Sequence, residues 1–158
     1  MGVSLSYEAE EAASERTIEE ITKEAARLNN TRAWMIEPIY FFDLERTGHL
    51  KGDSKFPPLS WSTSDRMHEM TMEDWSFISW WDFRFLLDAL ARWSGEYKLK
   101  WKLSCEGEEA GHISDGEMNE AAREFLQQMA EMGLASSDES TNEKRAAEII
   151  RSYESSLR

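Results

Sequence analysis

The side chains of this sequence that could do chemistry are few, and they form no known catalytic pattern. The three histidines are His49, His68 and His112, and none has a second histidine or a cysteine at metal-ligand spacing. A metal site would require His49 and His112 to meet in the folded chain. There is no G-x-S-x-G nucleophile elbow and no glycine-rich phosphate loop. We therefore expect no catalytic residue, no cofactor and no metal ion.

The single cysteine, Cys105, excludes an internal disulfide. It stands at the end of a predicted strand beside Glu106, with no cation or helix N-terminus evident nearby to lower its pKa. We interpret it as a small buried side chain and not as a nucleophile.

Three lysines are candidates for partner binding because they recur at every second position. Lys98, Lys100 and Lys102 alternate with apolar residues over 97–105, which predicts a strand with the apolar side chains inward and the lysines on one outer face. Three roles are open for this basic row. It is a solvated face that resists aggregation, it is neutralised by the acidic helix predicted at 115–132, or it receives an acidic partner or anionic ligand.

Two tryptophans are the other candidates. The sequence has seven tryptophans, and most are expected in the core. Trp61 and Trp75 instead lie in a segment, 57–78, that contains three methionines and has no clear periodicity. Adaptable surfaces of methionine and aromatic residues are common where a protein binds a partner or an apolar ligand. We therefore predict that Trp61 and Trp75 contact a partner, if any tryptophan does.

Charge excludes two classes of partner. The 158 residues include 31 Asp and Glu and 18 Lys and Arg, for a net charge of −13, and 106–158 alone hold 13 acids and 5 bases. Such a surface repels phosphate backbones and anionic lipids, so we expect neither nucleic acid nor membrane as a partner. No apolar run approaches the roughly 20 residues of a membrane helix. The N-terminus does not resemble a signal peptide, and we expect a cytoplasmic protein.

The periodicity predicts an α+β fold. Strands are expected at 3–7, 34–42, 49–56, 97–105 and 110–114, and helices at 18–28, 80–93, 115–132 and 142–157. The first six elements follow the order of a ferredoxin-like (split β-α-β) antiparallel sheet with two helices on one face, and two C-terminal helices are added. We expect one domain over 1–135, and over 136–158 a linker and amphipathic helix that packs on the domain or on a partner.

The predicted helix 80–93 follows Ser79, which has the position of a capping residue, and it is apolar on nearly all sides. Arg84, Asp88 and Arg92 stand four residues apart, so they share its one polar stripe and are expected to pair along it.

We interpret the chain as a non-enzymatic, cytoplasmic protein-binding module whose acidic surface recognises a basic partner. Small acidic inhibitors of basic toxins or nucleases, the immunity-type proteins, share its charge and size. Two alternatives remain. One is a small-molecule-binding protein or enzyme with an aromatic pocket between sheet and helices. The other is a homo-oligomeric structural subunit joined by the C-terminal helices.

Overall fold

A computed structural model describes residues 3–42, 44, 48–56 and 70–152, with the backbone continuing to 154. These residues form an α+β fold with a five-strand antiparallel sheet and four helices. The strands are β1 (Val3–Ala9), β2 (Lys51–Phe56), β3 (Trp101–Cys105), β4 (Glu108–Ser114) and β5 (Glu117–Met118). The helices are α1 (Glu15–Asn29), α2 (Met72–Tyr97), α3 (Glu120–Met132) and α4 (Glu139–Glu154). None of the helices within these ranges is long and apolar enough to cross a bilayer.

The sheet has one apolar and one polar face. Its strand order is β2-β1-β3-β4-β5. In β1 the side chains of Leu5 and Tyr7 are buried, whereas Glu8 is exposed, as the two-residue period of a strand requires. We call the face of Leu5 the inner face and the face of Glu8 the outer face.

Helix α2 is the centre of the core. It has 26 residues, and Phe77, Phe83 and Trp93 are fully buried along it. The helix begins eight residues earlier than predicted because Thr71, and not Ser79, is its N-cap. Thr71 Oγ1 accepts from the Asp74 N–H at 3.1 Å, which satisfies one free donor of the first turn.

The predicted second strand, 34–42, is wrong. This segment is irregular, although its β-branched and aromatic composition suits a strand. Side chains form hydrogen bonds with several of its backbone N–H and C=O groups, which in a strand would bond to a neighbouring strand. Asn29 accepts from the Ile39 N–H at 3.0 Å and donates to the Ile39 carbonyl at 2.7 Å. Asp82 accepts from two successive backbone N–H groups of the same segment.

The predicted strand 97–105 is shorter in the structure. Only Trp101–Cys105 is a strand, and within it Trp101 and Leu103 are buried while Lys102 is exposed, so the predicted alternation is confirmed there. Tyr97 is the last residue of α2, and Lys98 is its C-cap with a left-handed backbone (φ 56°).

Helix α3 packs on the inner face against β4. At Gly111, which pairs with Leu103, an added Cβ would lie 2.5 Å from the Ala122 nitrogen of α3. The backbones can approach this closely because glycine has no side chain. Since Lys102 belongs to the outer face, α3 does not cover this lysine of the predicted basic row.

Helix α4 packs against α2 and the end of α3. Ala146 and Ile149 are buried, and Arg145 Nη2 lies 3.0 Å from Asp74 Oδ1 of α2. The residues between α3 and α4 are fixed by Asn142, whose side chain bonds to both the N–H and the carbonyl of Ser136.

Candidate functional site

The structure does not bring the predicted partner-binding residues together. Trp61 lies outside the described residues. Trp75 is part of the first turn of α2, and its ring packs edge-on against Phe56 with centroids 4.9 Å apart. Lys98 is at the other end of the same helix, roughly 35 Å away along its axis at 1.5 Å per residue. Trp75 and the lysines therefore cannot form one compact site.

Two of the three lysines share a small cleft at the start of α1. Lys98 and Lys100 line a volume of about 310 Å³ together with Ser14 and Thr17. The free backbone N–H groups in the first turn of α1 are partly satisfied within the protein, because Ser14 Oγ accepts from the Thr17 N–H at 3.2 Å. Lys102 lies on the outer face of the sheet and does not line this cleft.

A groove of about 450 Å³ lies between the β3–β4 hairpin and α3. Four glutamates line it: Glu106 lies in the hairpin turn, Glu108 and Glu109 lie at the start of β4, and Glu124 lies on α3. Its apolar lining is formed by Cys105, Ala110, Ala121 and Phe125. We call this set the acidic groove.

Local backbone geometry explains the shape of the acidic groove. Glu106 and Gly107 both have positive φ (53° and 82°), as a two-residue hairpin turn requires. The pairing of β3 with β4 shifts between Leu103 and Ser104, which leaves Ala110 as an extra residue in β4. Such a bulge bends the strand and re-aims its side chains. Glu106 and Glu108 line the same groove as Glu124 of α3.

Three of the four glutamates have no basic side chain as a partner in the described part of the chain, and Glu106 is the one of these that accepts a backbone hydrogen bond. Glu106 accepts from the Ser4 N–H at 2.7 Å, and Glu109 lies 2.6 Å from Nε2 of His112. Glu108 and Glu124 are exposed, and no described lysine or arginine lies within ion-pair distance of either. Their charge is free to act on a molecule in the groove.

Cys105 at the edge of the acidic groove has the environment of an unreactive thiol. Burial raises its pKa, and the charges of Glu106 and Glu108 raise it further. A thiol with a raised pKa carries little thiolate at neutral pH, so this side chain is not built as a nucleophile.

A second cleft, of about 430 Å³, lies between the end of α1 and the middle of α2. Its walls are apolar and aromatic, and its rim carries charged groups. Its lining includes Leu28, Arg32, Trp34, Phe85, Asp88, Ala89 and Arg92. We call this set the aromatic cleft.

The expected pairing of Arg84, Asp88 and Arg92 along α2 is wrong. Arg84 forms two hydrogen bonds to Glu139 of α4, at 2.9 and 3.0 Å. Arg92 pairs with Glu24 of α1 at 2.7 Å. Both arginines therefore point to other helices, and Asp88 forms no ion pair within the described residues. Burial raises the pKa of Asp88, although Arg84 and Arg92 partly oppose this.

Asp82 is a functional group that the sequence analysis missed. Its side chain is fully buried, and it accepts from Arg32 Nη2 at 2.5 Å and from the Met35 and Ile36 N–H groups at 2.5 and 3.1 Å. Burial raises its pKa. The sequence offered one signal, an acid within the apolar run that begins at Trp80, because a buried acid needs hydrogen-bond donors. Asp82 holds the wall of the aromatic cleft in place.

The described residues contain no group of three or more His, Cys, Asp or Glu side chains that could hold a metal ion. His49 Nδ1 is 3.4 Å from the Ala9 carbonyl, and His112 faces Glu109 and Glu10. Comparison of the chain with protein-family models, with curated proteins and with solved structures finds no match.

Proposed function

We propose that this protein is a non-enzymatic binding module whose acidic groove receives a basic segment of another protein. The observation that carries the proposal is the pair of unpartnered glutamates, Glu108 and Glu124, on opposite walls of a concave, partly apolar surface. An immunity-type inhibitor of a basic protein is the version suggested by charge and size. We propose the cytoplasm as its location.

The groove suits lysine and arginine side chains in particular. Their aliphatic stems pack on apolar surface while the charged ends reach polar groups. Phe125 offers an aromatic ring to a cation, and the glutamates offer charge-assisted hydrogen bonds. A net charge of −13 also accelerates encounter with a basic partner and disfavours acidic ones.

The fold that presents the groove is best interpreted as a split β-α-β arrangement with an added hairpin. β1 lies between β2 and β3 and is antiparallel to both. Two backbone bonds place the irregular segment 34–42 beside β2, from Glu37 N to the Lys55 carbonyl and from Phe42 N to the Lys51 carbonyl. We propose that this segment occupies the position of the second strand in the ferredoxin-like order.

The experiment uses a short fluorescein-labelled peptide that alternates lysine and leucine, and fluorescence anisotropy with the full chain. The groove variant is Glu108→Gln with Glu124→Gln. The matched control is Glu143→Gln with Glu148→Gln on α4, which changes the net charge by the same amount at exposed positions outside the groove. We expect the groove variant to weaken binding at low salt at least about tenfold and the control to weaken it less than about threefold.

Three results contradict the proposal: equal weakening by both variants, no binding of the peptide, or equally tight binding of a peptide with glutamate in place of lysine. Equal weakening would mean that the peptide responds only to net charge. A natural partner is then sought by pull-down from native lysate. It should be lost at high salt and from the groove variant, and retained by the control variant.

A further inference from the structure

The aromatic cleft lies apart from the acidic groove and has a different chemistry. Arg32 forms part of one wall, with its guanidinium 3.7 Å from the centre of the Phe85 ring and 4.6 Å from that of Trp34. Leu28 and Ala89 add aliphatic surface. The cleft is therefore concave and mostly apolar, with a few charged groups, as small-molecule sites are.

The charged groups at the aromatic cleft are not equivalent. Arg32 is held by buried Asp82, and Arg92 is held by Glu24, so each cation has an anion of its own. Asp88 is the exception. It lies one helical turn after Arg84 and one before Arg92, yet no described residue forms an ion pair with it. The free charge at the rim of the cleft is therefore negative.

We propose that the aromatic cleft binds a small protonated amine with an apolar body, with the ammonium group at Asp88 and the body against Leu28, Ala89 and Trp34. An ammonium gives Asp88 the charge-assisted hydrogen bonds that no described residue supplies. The aromatic and aliphatic surface removes the body of the ligand from water. This binding is independent of the proposed function, since none of the cleft residues lines the acidic groove.

Asp88 is exposed on one side, but neighbouring side chains remove part of its hydration, which is consistent with this assignment. Loss of hydration disfavours the charged carboxylate and raises its pKa. A cation that arrives with its own charge offsets that loss. A carboxylate ligand in the same place would instead meet the negative charge of Asp88, although Arg32 and Arg92 are near.

The test is a calorimetric titration of the full chain with 2-phenylethylamine. Two comparison ligands separate the contribution of the positive charge from that of the apolar group. 3-phenylpropionate has a similar apolar group with the opposite charge. Ethylamine has the positive charge with only a small apolar group. The variant is Asp88→Asn, at an exposed helical position where asparagine replaces the carboxylate with an amide of the same shape. The control is Asp115→Asn, which makes the same change at an exposed turn residue whose φ of 53° asparagine readily adopts.

We expect 2-phenylethylamine to bind, ethylamine to bind at least about tenfold more weakly, and 3-phenylpropionate not to bind. Asp88→Asn should weaken the amine at least about tenfold, and Asp115→Asn by less than about twofold. The proposal is overturned if the amine does not bind at millimolar concentration, if Asp88→Asn has no more effect than Asp115→Asn, or if 3-phenylpropionate binds as well as the amine. The Glu108→Gln, Glu124→Gln variant should bind the amine normally, so failure of the groove proposal would leave this one intact.

Discussion

Replacing Asp82 with alanine should destabilise the protein more than any surface substitution. Asp82 is fully buried and is the acceptor for Arg32 and for two backbone N–H groups. Removing one partner of a buried ion pair costs about 3–5 kcal/mol. Because 20% of the Arg32 side chain is exposed, we take the cost of leaving it unpaired from the lower end of that range. The two backbone donors add about 1–2 kcal/mol. We expect a loss of about 4 kcal/mol in the free energy of unfolding.

The measurement is urea unfolding followed by far-ultraviolet circular dichroism, with the m-value compared between proteins. Glu143→Gln, at an exposed position of α4, is the control and should stay within about 0.5 kcal/mol of the parent. The double variant with Arg32→Met should be more stable than Asp82→Ala alone by roughly 2 kcal/mol, because no buried charge remains unpaired. A loss below about 1 kcal/mol in Asp82→Ala would refute this account of the anchor.

Two further predictions concern glycine and cysteine. Gly133→Ala should destabilise by about 2 kcal/mol or more, because its Cβ would lie 2.5 Å from the backbone of Phe77. Gly95→Ala, inside α2 with its nearest contact at 3.4 Å, should be neutral or stabilise by up to about 1 kcal/mol, and thermal unfolding of the pair tests the difference. Alkylation of Cys105 by iodoacetamide should have its pH midpoint above that of an unperturbed cysteine, since burial and two glutamates raise its pKa. Glu108→Gln should move that midpoint down, and an unchanged midpoint would contradict the electrostatic contribution.

Local patterns in the sequence were sufficient for the sheet strands that have one buried face. The alternation in β1 and in Trp101–Cys105 appears in the structure because burial of one face fixes which residues lie inward. The short strand predicted at 110–114 is also confirmed, as part of β4. These features depend on neighbours within a few residues, which is why composition and spacing predict them.

Features that depend on distant side chains were not predictable in the same way. The segment 34–42 has the composition of a strand, but its conformation is set by hydrogen bonds from Asn29 and Asp82. The start of α2 depends on which hydroxyl caps it. Ser79 resembles a cap in the sequence, yet its Oγ donates to the Trp75 carbonyl, four residues back within the helix.

The candidate sites were only partly visible in the sequence. The excess of acids after residue 105 indicates a negative surface, and the acidic groove lies there. Its concave shape, however, needs the bulge at Ala110 and the approach of α3 to Gly111. The aromatic cleft was not predicted because Arg92 was expected to pair with Asp88 on the same helix, whereas in the structure Arg92 forms its ion pair with Glu24 of α1.

The distribution of arginine explains why negative charge remains at both proposed sites. Four arginines form ion pairs that connect α2 or its residues to other parts of the chain: Arg32 with Asp82, Arg84 with Glu139, Arg92 with Glu24, and Arg145 with Asp74. Three of them also lie over aromatic rings. These cations are held between elements, where they cannot neutralise the hairpin or the rim of the cleft. The same contacts that fix α2 in the core therefore leave Glu108, Glu124 and Asp88 without a basic partner in the described part of the chain, and these are the charges that the proposed basic segment and the proposed amine would meet.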